Sequence, residues 1–326
     1  MTKPSYAIKL LAAGLATLTM LIPAAWSQQK SVALTAITDH PSLEAVRDGV
    51  QEALVNAGYV EGQNLRWQYQ SAQGNTSIAA QVARKFVGDR PDVIVAISTP
   101  SAQTMMAATK TVQIPVIFTA VTDPVSSKLT PSWEPSGTNI TGVSDKLDLE
   151  RQVDLILRIV PDAKRIGIVY NTAEVNSDSV VKSFQDIFTK RGLTLYTAAA
   201  PRTVDVGGAA LSLVGKVDVF YATTDNNVVS AMEALIKVGQ DAKIPVIASD
   251  PLSVERGAVA ALGVDYKELG RQAGAIILRI FNGEKPGDIA PQTLENLQLY
   301  INPKAAERQG ITLSEDVVKE ATVIVD

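Results

Sequence analysis

The sequence contains no cysteine. That removes any disulfide framework, any thiol chemistry and any cysteine to which a lipid anchor would be attached. It contains one histidine, His40, in 326 residues, so a multi-histidine metal site or a triad has little to build on. Neither sign of charge is in excess: 30 Lys+Arg against 34 Asp+Glu leave −4, with a pI near 5.3. No Lys/Arg cluster interleaved with aromatic residues occurs, which argues against nucleic acid as a partner. The signatures G-x-x-x-x-G-K-[ST], G-x-S-x-G and H-E-x-x-H are absent, which leaves chemistry by carboxylates alone as the open enzymatic reading. No enzyme activity, metal or cofactor is expected.

Long apolar runs are missing except for one near the N-terminus, Leu10 to Ala25. Lys3 and Lys9 precede it, Pro23 lies within it, and Ala25-Trp26-Ser27 offers small residues at −3 and −1. These are the marks of a secretory signal cleaved before Gln28. An uncleaved anchor is the alternative, but the run falls short of the ~20 residues a membrane span needs. Residues 1–27 are therefore expected to be a signal peptide, and the mature protein a soluble periplasmic monomer that does not span the membrane. Its length, about 300 residues, suits two domains of ~150.

The stretch Asp92 to Thr109, DVIVAISTPSAQTMMAAT, organises the chain. Val93 to Ile97 has no polar alternation, as a strand buried on both faces requires. Ser98, Thr99 and Ser101 then stand where helix N-caps belong, and Pro100 suits a first turn. Two readings stay open here. The residues cap a helix, or their hydroxyls and the helix N-terminus form an anion site at the carboxyl end of a central strand.

Around that stretch strand and helix alternate strictly, which implies parallel, doubly wound sheets. Strands are expected at 32–37, NLRWQYQSA, DVIVAIS and IPVIFTAV, with helices between them. From Thr122 to Asp145 the chain is rich in Pro, Gly, Ser and Thr, the expected loop and first crossing. A second series follows, in which VVSAMEALIKVG is expected to be one helix and IPVIASD and AVAALGV consecutive strands. The two series echo each other: QIPVIFTAVTDP (113–124) with KIPVIASDP (243–251), and DVIVAISTPS (92–101) with DVFYATTDNN (218–227). SVALTAITDH with its long helix matches RIGIVYNTAE with its own. Two similar lobes would set their polar loops face to face across a cleft. The expected division is 28–143 plus about 264–295 for the N-terminal lobe, and 144–263 plus about 296–326 for the C-terminal lobe.

The ordered motifs PSGTNITGVSD, QVDLILRIVPDAKRIGIVYNTAEVNS, IPVIASD, GAVAALGVDYKELGRQAG and YINPKAAERQGITL resemble the tryptophan/tyrosine-type family of ABC-transporter substrate-binding proteins. The resemblance spans essentially the whole mature chain. It implies the type I periplasmic binding protein fold: two Rossmann-like α/β lobes with parallel sheets, joined by a hinge of three strands. It implies a receptor that closes on an amino acid, an aromatic one such as tryptophan, tyrosine or phenylalanine, and delivers it to an ABC permease with its ATPase. A receptor of the same fold feeding a sensor is the alternative. Many members carry an N-terminal cysteine that this chain lacks, which bears on tethering.

By the same resemblance the ligand carboxylate is expected on the first lobe, at Ser98, Thr99, Ser101, Ala120 and Thr122. The ammonium group is expected at a second-lobe carboxylate, Asp250, with Asp225 in reserve. Asp123 and Asp250 have capping as their other reading. The loop from Asn171 through Glu174 and Asn176 to Ser177 stands at the mouth of the second lobe and either touches ligand or holds the closed lobes. His40, in the matching first-lobe loop, offers a polar contact or a stacking surface. Tyr221 ends a buried strand, as core or as a ligand platform.

Overall fold

A computed structural model describes residues 1–2 and 29–325. The expected signal peptide, 1–27, thus lies outside the described residues apart from its first two. Among the described residues no helix is long and apolar enough to cross a membrane.

The first series comprises Lys30–Ala36 (β1), Pro41–Asn56 (α1), Leu65–Ser71 (β2), Thr76–Asp89 (α2), Val93–Ile97 (β3), Thr99–Thr109 (α3), Val116–Val121 (β4) and Ile140–Ser144 (β5). Its strands pair in parallel in the order β5-β4-β3-β1-β2. All of β3 is buried, because helices cover both faces of a central parallel strand. The loop expected over 122–145 therefore ends in a strand of its own.

The second series comprises Leu149–Ile159 (α4), Arg165–Tyr170 (β6), Val175–Lys190 (α5), Thr194–Ala199 (β7), Val206–Leu213 (α6), Val219–Ala222 (β8), Asn226–Ser230 (α7), Met232–Ala242 (α8), Val246–Ala248 (β9), Leu252–Glu255 (α9) and Ala260–Val264 (β10). Its strand order, β10-β9-β8-β6-β7, repeats that of the first. The sequence echoes fall on equivalent strands: β3 with β8, β4 with β9, and β1-α1 with β6-α5.

VVSAMEALIKVG is two helices rather than one, separated at Ala231. Asp225 ties the first turn of α7 to the cleft, where Asn226 and Val229 line a chamber. Leu235, Ile236 and Val238 of α8 instead pack with Phe220 and Val246 of the sheet. One straight helix cannot do both. Between β9 and β10 the short turn of α9 separates the two expected strands.

The rest of the chain is shared between the sheets. Tyr266–Phe281 (α10) packs on α1, Gln292–Thr293 (β11) extends the first sheet beside β5, and Leu297–Ile301 (β12) runs antiparallel to β10. After Pro303–Arg308 (α11) and Glu315–Glu320 (α12), Val323–Ile324 (β13) pairs with β12. The chain crosses between the lobes at 145–148, at Asp265 and at 294–296. α10 returns to the first lobe at backbone contact with α1. A Cβ on Gly270 would collide with the Val46 carbonyl oxygen, and one on Gly49 with that of Lys267, so only glycine permits this approach.

Candidate functional site

The first-lobe loops carry the local strain. Ser98 follows β3 with φ 79° and ψ 158°, a region that costs a residue with a side chain about 1–3 kcal/mol. Its backbone N–H is held by the Thr119 carbonyl at 2.9 Å. Ala120, at the end of the neighbouring strand, has φ 51° where the β4–β5 register shifts. Ser98 occupies the N-cap position of α3, but its side chain makes no capping hydrogen bond. The hydroxyls of Ser98, Thr99 and Ser101 are buried and find no hydrogen-bond partner among the described residues. The capping reading is thereby removed for Ser98, and the side chains are left as free donors beside a helix N-terminus.

Among the described residues, two adjoining chambers lie in the cleft between the lobes. The smaller, about 20 Å³, is lined by Ser98, Thr99, Ala120, Thr122, His40 and Asp250 among others. The larger, about 120 Å³, has Leu147, Leu149, Val180, Phe184 and Tyr221 as its apolar walls. Thr122, Asp145, Asn176 and Thr224 line both, so the two adjoin. The Tyr221 ring meets Phe184 edge-on at 5.1 Å and 71°, a favoured aromatic geometry. Its hydroxyl donates to Gln152 Oε1 at 2.9 Å. Tyr221 is thus both core and chamber wall. Ser101, although buried, lines neither chamber.

His40 precedes α1, buried, with Nδ1 unpartnered among the described residues. Burial, aided by Arg256, lowers its pKa to about 3, so it is a neutral imidazole in the cleft.

The second-lobe loop closes on itself instead. Asp225 Oδ1 accepts from the N–H groups of Asn227 and Val228 at 3.0 Å. Its Oδ2 accepts from Asn171 N–H and Ser177 Oγ at 2.7 Å each. Glu174 accepts from Asn226 Nδ2 at 2.7 Å, and burial with the nearby Asp225 charge raises its pKa. Asn171 holds the Ala173 N–H at 3.0 Å. None of Asn171, Glu174 and Asp225 lines a chamber, and their hydrogen bonds are made within and around the loop. Beside them Asn176 lines both chambers, and its Nδ2 lies 3.4 Å from both Glu174 Oε2 and the Thr224 carbonyl. Asn176 Oδ1 remains unpartnered among the described residues.

Asp250 faces the small chamber but is already engaged. It accepts from Leu252 N–H at 3.1 Å, from Ser253 Oγ at 2.9 Å, and across the cleft from Ser42 Oγ at 2.7 Å. Among the described residues two further side-chain hydrogen bonds join the lobes: Thr122 to Thr224 hydroxyl at 3.0 Å, and Thr38 to Ser230 at 3.2 Å. Asp123 caps the turn at Val125 and Ser126 and pairs with Lys146 at 2.7 Å.

Asp145 is the site residue that sequence reasoning passed over. It begins the first crossing, is buried, and accepts from Tyr266 Oη at 3.1 Å through Oδ2 only. The available signal was its position, a carboxylate closing the buried strand ITGVS where the chain leaves the sheet.

Two lobes that share one strand order, with adjoining chambers between them, form the type I periplasmic binding protein fold. A family model described as ABC transporter substrate binding protein matches residues 31–325, and the chain belongs to that family. It is 41% identical over 295 residues to a tyrosine-binding protein of Clostridioides difficile, covering 90% of this chain and 84% of that one. A Streptococcus pneumoniae ABC domain solved in complex with L-Trp superposes with a TM-score of 0.87 at 32% identity, covering 91% of this chain and all (100%) of that one. The ligand-free, open structure of a Clostridium difficile substrate-binding protein with adhesive properties, 35% identical and covering 91% and 99%, gives 0.68. Within this chain, hydrogen bonds join the two lobes across the cleft.

Proposed function

We propose that the protein is an exported receptor for an aromatic L-amino acid, tryptophan, tyrosine or phenylalanine, which it passes to an ABC permease and its ATPase. One observation carries this reading. Buried polar atoms without partners among the described residues converge on the small chamber, from Ser98, Thr99, His40, Asp145 and Asn176. A buried polar group left unpaired costs about 1–3 kcal/mol, and a polar ligand head group removes that cost. The adjoining chamber has aromatic and aliphatic walls sized for a side chain. The ligand carboxylate lies against Ser98, Thr99 and the α3 N-terminus, where free donors and the helix dipole favour an anion. The ring lies against Phe184 and Tyr221. The tyrosine-binding and L-Trp-bound relatives support the aromatic class.

In this reading the chain is exported through residues 1–27, works in the periplasm as a monomer, and begins at Gln28 when mature. Calorimetry with the 20 amino acids tests the ligand class: an aromatic L-amino acid is expected to bind, and at 100 times Kd to add about 2.7 kcal/mol of stability. Absence of binding and of any thermal shift with every aromatic amino acid overturns it.

A further inference from the structure

Two buried carboxylates face the small chamber, and the structure gives them different jobs. Asp250 has three donors on its two oxygens, one of them Ser42 from the opposite lobe. Asp145 has one donor, Tyr266, on Oδ2. Its Oδ1 is buried and unpartnered among the described residues. The Thr122 hydroxyl stands beside it but engages Thr224 at 3.0 Å. Asn176 Oδ1, also unpartnered, lines the same junction from the second lobe. Both open atoms are acceptors. The open hydroxyls of Ser98 and Thr99 lie in the small chamber, and the apolar walls lie in the large one. An amino acid with its carboxylate in the first and its ring in the second must set its α-carbon at the junction, between those acceptors.

We infer that Asp145, with Asn176 beside it, receives the ligand ammonium group, and that Asp250 is a latch holding the closed lobes through Ser42. The assignment rests on the amino-acid reading above and reverses the role expected for Asp250 from sequence. It also uses the crossing. Asp145 sits where the chain passes between lobes, so ligand bound there loads the hinge directly and biases it toward closure.

The charges around Asp145 fix how binding responds to pH. Asp250 faces it from the second lobe, and Tyr266 from the α10 crossing. His40, neutral, shares the small chamber, and the nearby Lys146 is paired with Asp123. Burial, opposed by the Tyr266 hydrogen bond and reinforced by the Asp250 charge, raises the Asp145 carboxyl to about 6. Below that pH the unliganded group holds a proton that the ammonium must displace. Affinity for the amino acid therefore falls about tenfold per unit as pH drops below 6.

The test compares an amino acid with the same molecule lacking its ammonium group: L-tryptophan with indole-3-propionate, or L-tyrosine with 3-(4-hydroxyphenyl)propionate. Asp145→Asn is expected to weaken the amino acid by about 10- to 100-fold and leave the propionate unchanged. Ser42→Ala and Asp250→Asn are expected to speed dissociation of both ligands alike. Asp145→Asn binding the amino acid as the native protein does, or losing both ligands equally, overturns the assignment. Should that variant not fold, the pH profile of the native protein decides: the amino acid must lose affinity below pH 6 relative to its propionate, and parallel profiles refute the role of Asp145. Native protein that binds no aromatic amino acid at any pH overturns the ligand reading itself, a different outcome from normal binding unaffected by Asp145→Asn.

Discussion

The loops after β3 and β8 occupy equivalent places in two lobes of the same topology, and they solve opposite problems. After β3 the chain enters α3 through a strained Ser98 whose hydroxyl caps nothing. After β8 it enters α7 through a relaxed Asp225, φ −76°, whose carboxylate caps Asn227 and Val228 and also binds Asn171 and Ser177. The first loop keeps donors free at the cost of backbone strain. The second spends both carboxylate oxygens of Asp225 on its own rigidity. A duplicated fold has thus divided its work, with neutral donors for an anion on one side and a self-satisfied wall that presents Asn176 on the other.

The largest way to break that contrast is Asp225→Ala. It leaves four donors without their acceptor in a buried loop, and a loss of about 3–5 kcal/mol in equilibrium unfolding is expected. A loss under about 1 kcal/mol would mean that the loop does not depend on this carboxylate. Ser98→Ala in the equivalent first-lobe loop should do the reverse. Ligand affinity drops by about 1.5–3 kcal/mol for one charge-assisted bond, while the unliganded melting temperature holds, since no cap is lost.

Ser98→Gly sharpens the point. Relief of the positive φ outweighs the extra chain entropy of glycine, and the unliganded protein should gain about 1 kcal/mol while ligand binding still suffers. A destabilised glycine variant would show that the strain is not where the backbone angles put it. The smallest effect belongs to the paired Asp-Pro turns. Asp123→Ala removes a cap and a half-exposed ion pair with Lys146, for about 0.5–1 kcal/mol and no change in closure. Asp250→Asn, its counterpart, should instead alter ligand dissociation.

The alternation of elements, the buried central strands and the repeat were legible in the residues, because each depends on local periodicity and on which strands must be apolar on both faces. Val93–Ile97 announces a buried strand by itself. So do the echoes that fell on β3 and β8, and on β4 and β9. The candidate loops were legible too, for polar residues at the ends of buried strands have few other places to go.

What those loops do was decided only in three dimensions. Ser98 and Asp225 each stand at the start of a helix after a buried strand, yet one is held by a neighbouring strand at an angle that prevents capping, and the other is filled by donors 54 and 48 residues away. Asp250 meets Ser42 across 208 residues, and Asp145 meets Tyr266 across 121. Sequence names the carboxylates, but the free valence of each depends on which distant donors reach it first, and only packing sets that.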